Sequence, residues 1–340
     1  MDLIVLRPQG LYCPPGDFYI DPWRPVPRAV ITHAHSDHAR MGHVSYLCTP
    51  QCAPALCARL GNVNVQTLPY GESLRVGGAS ISFHPAGHVL GSAQVRVEYR
   101  GEVWVASGDY KTEADPTCDP FVPVRCDTFI TESTFGLPIY RWAPQDNVFQ
   151  DMSHWWSQNA AERKVSVLFC YAFGKSQRVL HALREQPGPI VVHGALEKLN
   201  EVYTQAGVDL PNTLKAQDFD PIHHRNALVV APPSARGSPW LRRFGEHADA
   251  FASGWMQVRG ARRRRGVDRG FILSDHADWP GLQTAIRETG ASRVYVTHGS
   301  TDVMQRWLLE QGLDARTFQT EYGTEEDDID VGQEAAPEQA

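Results

Sequence analysis

Directly after the apolar run Ala29-Val30-Ile31, the stretch ITHAHSDHAR packs His33, His35, Asp37 and His38 into six positions. Such crowding restricts the fold, because the element that ends there must open onto a place where the four side chains can converge. Residues two apart on a strand face the same way. The spacing therefore predicts His33 and His35 aimed at one point from the end of a strand. Asp37 and His38 follow at a turn or first helical residue, aimed at a second point close by. Nitrogen and oxygen donors without thiolates suit zinc, manganese or iron. One histidine alone is usually a satisfied surface or core residue, and the density of donors sets HxHxDH apart from that.

Further donors stand at similar strand ends. His88 lies in HPAGHVLGS after ISFHPAG, and Asp109 lies in ASGDY after the apolar EVWVASG. A carboxylate placed between two ions can bridge them, and ions about 3.5–4 Å apart are a standard device for hydrolysing phosphoesters. Asp21 closes DFYID. It suits either a strand-end cap or a hydrogen-bond partner that orients a ligand histidine.

Residues 1–135 read as short β-type runs between Gly, Pro and Asp turns, several alternating apolar and polar residues. One helix is expected after Thr49-Pro50. From about residue 143, helices (NVFQDMSHWWSQNAAERK, KSQRVLHALRE, LEKLNEVYTQAG) alternate with apolar strands (SVLFCYAF, PIVVHGA, NALVVAPP). That alternation predicts a parallel α/β unit. GFILSDHAD, GLQTAIRETG, RVYVTHGS and DVMQRWLLEQG then supply strand, helix, strand and helix. The fold class expected is α/β, without internal repeats. Neither GxGxxG nor a P-loop occurs, since Phe173-Gly174-Lys175-Ser176 lacks the first glycine, and an NTPase is set aside.

Seven cysteines without a CxxC pair argue against a disulfide framework and a thiolate metal site, and buried thiols are expected at Cys48, Cys52 and Cys57. No apolar run is long enough to span a bilayer and the N-terminus lacks a signal-peptide layout, so a cytoplasmic protein without a membrane partner is expected. The net charge of −7 misleads: residues 321–340 hold eight acidic and no basic side chains, and without them residues 1–320 stand at +1. An acidic, disordered tail is expected there. One basic cluster, RGARRRRGVDR at 259–269, suits a solvated loop or a polyanion-binding footprint.

HAHSDH followed by GH and then GD resembles the metallo-β-lactamase fold, which implies a four-layer αββα sandwich with metals at one edge. Glu132 in FITESTFG, His276 in ILSDHADW and His298 in VYVTHGS are similar to the further motifs of the β-CASP nucleases of that fold. The resemblance covers nearly all of the chain except the acidic tail. It implies a metallo-β-lactamase domain over residues 1–140, a β-CASP insert over 141–270, a return over 271–320 and the tail over 321–340.

Carried over position by position, the resemblance gives the first metal His33, His35, His88 and Asp109, and the second Asp37, His38, Asp109 and His298. Two divalent ions per chain are implied, Zn²⁺ or else Mn²⁺, with a shared water as nucleophile. Asp37, Glu132 and His276 are the implied catalytic residues, His276 contacting the phosphate or protonating the leaving group while hydrogen-bonded by Glu132. Asp21 is placed behind the ligands. Gly174, Lys175, Gln177 and Arg178, at a strand-to-helix junction, are similar to a family segment that meets a backbone phosphate, and Ser274 joins them. The insert is expected to wall a groove over the metals, and the 259–269 arginines to flank it.

HAHSDHAR, PAGHVLGSAQV, ESTFGLP, ILSDHADW and YVTHGS are most similar to a bacterial group of ligase-associated DNA exonucleases. A metal-dependent 5′→3′ DNA exonuclease of repair follows as the expectation, with DNA, and by resemblance a repair helicase or ligase, as partners. His298 leans the other way: eukaryotic DNA members usually carry valine there, so an RNA-processing enzyme is the alternative. A nonenzymatic β-CASP partner would have lost metal ligands, and a small-molecule metallohydrolase would need neither the insert nor the His276 motif.

Overall fold

The computed structural model describes residues 2–185, 188–260, 263 and 266–322. The described chain falls into two compact units, residues 2–141 with 275–322, and residues 142–274.

The first unit opens with β1 (Val5–Arg7), β2 (Gly10–Cys13), β3 (Phe18–Ile20), β4 (Arg28–Val30), β5 (Ser45–Cys48), α1 (Cys52–Leu60) and β6 (Val65–Thr67). It continues with β7 (Ser73–Val76), β8 (Ala79–Pro85), β9 (Ala93–Tyr99), β10 (Glu102–Ala106) and β11 (Thr128–Ser133). The second unit carries α2 (Gln145–Ala161), β12 (Val165–Phe169), α3 (Lys175–Ala182), β13 (Ile190–Val192), α4 (Gly194–Gln205) and β14 (Leu214–Lys215). β15 (Leu228–Ala231), β16 (His247–Ala252) and β17 (Arg269–Phe271) complete it. The chain then returns to the first unit with α5 (Trp279–Thr289), β18 (Arg293–Gly299), α6 (Thr301–Glu310) and β19 (Asp314–Thr317).

Strands β1 to β6 form one sheet in chain order, and the other sheet of the first unit runs β19-β18-β11-β10-β9-β8-β7. The alternation in ASISFHP and AQVRVEY sets Ile81 opposite Val97 and Phe83 opposite Val95. Those side chains share one apolar core with Leu11, Phe18, Ile20 and Val30 of the first sheet, so the two sheets pack face to face. On its other face the second sheet buries Val105, Phe129, Val294 and Val296 against Leu282 and Ile286 of α5 and Met304 and Leu308 of α6. Each such side chain contributes about 1.5–3 kcal/mol on burial. The strand ends are therefore held by a stiff frame.

β10, β11, β18 and β19 are mutually parallel neighbours. Their C-terminal ends lie along one edge, and that edge carries Asp109, Glu132 and His298. α5 begins cleanly beyond His276, because the Asp278 side chain accepts from Gly281 N and a proline occupies its first turn.

The second unit is an all-parallel sheet ordered β14-β13-β15-β12-β16-β17. β12 and β15 are buried along their whole length, as strands covered on both faces are. Mixed α/β architecture is thus what the chain adopts. The expected strand GFILSDHAD is shorter than its apolar pattern, ending at Phe271. The helix after Thr49-Pro50 starts at Cys52, whose N–H is taken by Thr49 Oγ1 at 3.1 Å. Cys48 and Cys52 are buried, but Cys57 is exposed on α1. No described helix is long and apolar enough to cross a membrane.

Candidate metal centre

β4 stops at Val30, so His33 and His35 lie in the loop beyond it and not on the strand. Strand alternation does not aim them; a buried carboxylate does. Asp21 Oδ1 accepts from Thr32 N at 2.7 Å and Asp21 Oδ2 from Thr32 Oγ1 at 2.5 Å. The same Oδ2 takes His38 Nδ1 at 2.8 Å, which turns His38 Nε2 toward Asp37 and Asp109, each 3.4 Å away. Asp21 holds the loop at both ends. Gly108 brings Asp109 in at a positive φ of 57°, and a Cβ there would stand 2.7 Å from Thr32, so glycine is required for the approach.

His88 comes from the β8–β9 turn. Its Nδ1 donates to the Asp275 carbonyl at 2.8 Å, and its Nε2 stands 3.0 Å from His35 Nδ1. Asp109 Oδ2 lies 3.5 Å from His33 Nε2 and 3.8 Å from His88 Nε2, while its Oδ1 lies 3.1 Å from His298 Nε2. One carboxylate therefore faces two donor sets. His33, His35, His88 and Asp109 offer atoms within 4.8 Å of one another, and so do His38, Asp109 and His298. Donors around a tetrahedral ion at about 2.0–2.1 Å stand roughly 3.3 Å apart, the spacing of these atoms. His33 Nε2 and His38 Nε2 are buried and make no hydrogen bond among the described residues. That is the arrangement of nitrogens that face a cation. The donor set fits divalent metal, and Asp37 stands beside the second group.

At His33, His88, Asp37 and Asp109 the charge states agree with such a site. Burial, with His38 and the other imidazoles near by, holds the His33 pKa well below the ordinary value, and burial with His276 and His35 does the same at His88. Both rings are neutral and present lone pairs. Burial pushes the Asp37 carboxyl up, but His38 more than offsets it and holds the pKa at about 2. Asp109 is likewise kept well below the carboxylate range: His38 and His276 outweigh the effect of burial.

His276 Nδ1 lies 3.0 and 2.9 Å from the two Glu132 oxygens, and Tyr110 N donates to Glu132 Oε1 at 2.7 Å. The His276 ring sits 4.7 Å from that of His88, beside the first donor set. Ser133 Oγ donates to the His298 carbonyl at 2.7 Å and steadies the β18 end.

The residues expected to meet substrate phosphate are placed differently. Lys175, Gln177, Arg178 and Ser274 are buried. Gln177 Oε1 accepts from Gly174 N at 2.8 Å and its Nε2 donates to Ala172 O and Asn200 Oδ1. Arg178 donates to Gln145 Oε1 and, at 2.7 Å, to the Ser274 carbonyl. Lys175 Nζ lies 4.6 Å from the centre of the Tyr171 ring. Of the six arginines at 259–269, Arg262, Arg264 and Arg265 lie outside the described residues. Arg269 covers the Phe271 ring at 5.0 Å.

His193 caps α4, its Nδ1 accepting from Ala195 N at 3.1 Å. His43 is buried; its Nδ1 accepts from Val26 N at 3.3 Å, and burial holds its pKa at about 4. Unfolded histidine titrates near 6.5, so the unfolded chain takes the proton first as the pH falls. Stability is unaffected above about pH 6.5 and drops toward pH 4, by about 2 kcal/mol. His43→Asn keeps an acceptor for Val26 and removes the titration. Its urea midpoint is expected to fall less between pH 7 and pH 4.5 than that of the unaltered chain; equal slopes would refute the assignment.

Three contributors escape sequence reasoning. Thr32 and Ser133 are ordinary hydroxyls whose only signal is adjacency to a motif. Tyr322 belongs to the stretch taken as acidic tail, yet it stacks on His38 with ring centres 4.5 Å apart. Residues 323–340, the rest of that stretch, lie outside the described residues.

No known protein-family profile matches the chain. It is 33% identical over 334 residues to a probable DNA ligase of Opitutus terrae, an alignment that takes in 97% of this chain and 32% of the relative. It is 30% identical over 121 residues, 35% of this chain and 28% of the relative, to ribonuclease TTHA0252 of Thermus thermophilus. Endoribonuclease YSH1 of Kluyveromyces lactis is 28% identical over 123 residues, 36% of this chain and 16% of the relative. The chain thus spans about a third or less of these relatives' lengths. A crystal structure of an Enterococcus faecalis V583 protein of unknown function superposes with a TM-score of 0.59 at 11% identity, over 87% of this chain and 80% of that one, a likeness of fold alone. The paired donor sets, the Glu132–His276 couple and these relatives fit a β-CASP metallo-β-lactamase nuclease relationship.

Proposed function

We propose that the protein is a metal-dependent phosphodiesterase that degrades DNA from an end, 5′→3′, in repair. The observation that carries the reading is the single buried carboxylate, Asp109, facing two donor sets with the Glu132–His276 couple beside them. Two divalent ions, Zn²⁺ or Mn²⁺, would supply an acidified water and charge to neutralise the phosphate. Asp21, Thr32 and Asp275 orient the rings of His38, His33 and His88, so that the Nε2 atom of each points inward. With Nδ1 committed to Glu132, His276 is assigned through Nε2 either to the phosphate or to the leaving oxygen, to which it would donate a proton as the P–O bond breaks.

The frame of this reading is a four-layer αββα sandwich with a β-CASP insert over residues 141–270. Gly174, Lys175, Gln177, Arg178 and Ser274 enter it as the residues that set the course of the chain into His276, through the Arg178 hydrogen bond to Ser274. Arginines of the 259–269 run supply sequence-independent, salt-sensitive contacts to the strand. DNA is preferred because the ligase-named relative matches along nearly the whole chain, and a cytoplasmic role beside a ligase or helicase follows. An RNA-processing activity is the second reading, favoured by the two ribonuclease relatives and by His298.

Matched DNA and RNA strands, end-labelled, with and without a 5′-phosphate and across Zn²⁺ and Mn²⁺, decide the matter. Mononucleotide release from DNA 5′ ends is expected. Faster cleavage of RNA, or internal cuts in circular DNA, would replace this reading by the second.

A further inference from the structure

Beyond β19 the chain crosses from the edge of the second sheet toward the metal centre. Phe318 N donates to the Val296 carbonyl at 2.9 Å, and its ring stacks on Tyr295 at 4.2 Å. Three residues later the path is clamped: Arg24 pairs with the Glu321 carboxylate at 2.8 Å, and Arg40 donates to the Glu321 carbonyl at 2.8 Å. Tyr322 then lies flat on His38, ring centres 4.5 Å apart and planes 17° from parallel. Its edge meets His298 at 5.6 Å and Trp23 at 5.5 Å. Its hydroxyl reaches 3.5 Å from the carbonyl of Ile20, the residue before Asp21.

His38 is therefore held twice, at Nδ1 by Asp21 and across its face by Tyr322. The second hold matters because a cavity lined by Asp21, Thr32, His38, His298 and Tyr322 adjoins the ring. A hydrogen bond at one nitrogen fixes the direction of an imidazole but leaves it free to rock about that bond. A flat ring on its face removes the rocking. Both imidazoles that Tyr322 touches belong to the second donor set. Among the described residues it makes no ring contact with His33, His35 or His88.

We propose that Tyr322 is a positioning residue for the second cation, holding His38 and His298 with their Nε2 atoms converging on Asp109. The proposal rests on the two-ion reading of the centre. Groups that orient metal ligands from behind typically carry a 10–100-fold effect on affinity, and the effect here should fall on one ion only.

The test titrates the whole chain with Mn²⁺ and separately with Zn²⁺ against a competing chelator, yielding two dissociation constants. His35→Ala and His298→Ala identify which constant belongs to which donor set. Tyr322→Ala is expected to weaken the constant lost in His298→Ala about 10–100-fold, and to leave the other within about twofold. Tyr322→Phe, which keeps the ring, should match the unaltered chain within about threefold. Tyr322→Leu, which keeps apolar bulk without a flat face, should lose affinity in the same constant as Tyr322→Ala and serves if the alanine variant is unfolded. Equal weakening of both constants, or no weakening with Leu, would show Tyr322 to be packing alone and leave the two-ion reading intact. If the unaltered chain binds a single ion, the two-ion reading falls and this proposal with it.

Discussion

Asp109→Ala is expected to lower nuclease kcat/KM by about 10³–10⁴-fold, equivalent to roughly 4–5.5 kcal/mol of transition-state stabilisation. Asp109 is the one residue common to both donor sets, its Oδ2 toward His33 and His88 and its Oδ1 toward His298. Its removal also leaves His38 without one of the carboxylates that hold its pKa up. The electrostatics of the whole cluster change, not one coordination bond. Metal analysis after gel filtration should find both ions weakened, whereas His35→Ala and His298→Ala should each weaken one. A variant that kept two bound ions and a tenth of the activity would refute the bridging role.

The second large effect is expected at the Glu132–His276 couple. Glu132→Gln and His276→Ala should each lower kcat by about 10²-fold, the scale of a lost general acid or phosphate contact, with both ions retained. Glutamine is the informative replacement, because its oxygen can still accept from Tyr110 N, which would otherwise be left buried and unpaired. If His276 works only as Glu132 orients it, the double variant should be scarcely slower than the worse single one. Losses that multiply would mean two independent roles, and loss of an ion would move His276 into the metal set.

The candidate donors were legible because each is a chemically rare residue in a short motif, and short motifs survive ignorance of the fold. How they are aimed was not legible. The alternation argument placed His33 and His35 on a strand, but β4 ends at Val30 and a side chain twelve residues earlier, Asp21, sets the loop. Long-range hydrogen bonds of that kind leave no periodic trace. The same blindness affected Arg178 and Gln177: a charged helix start looks exposed in sequence, yet both are buried and spend their donors on neighbouring chain. Composition hid Tyr322, since one aromatic among acidic residues reads as part of a solvated tail. The strands of the first unit were legible from period-two runs, and the α/β texture of residues 142–274 from its strand–helix alternation.

The candidate centre draws on segments that flank the second unit in the sequence, and this bears on synthesis. A chain emerging from the ribosome displays His33, His35, His88 and Asp109 early, while Asp275, His276 and His298 appear only after the whole second unit has been translated. Domains fold largely as units, and the second sheet of the first unit includes β18 and β19, so the early donors gain their frame only once residues 275–322 have been made. Assembly of the candidate centre is thus tied to closure of the whole first unit, sheet and flanking helices together.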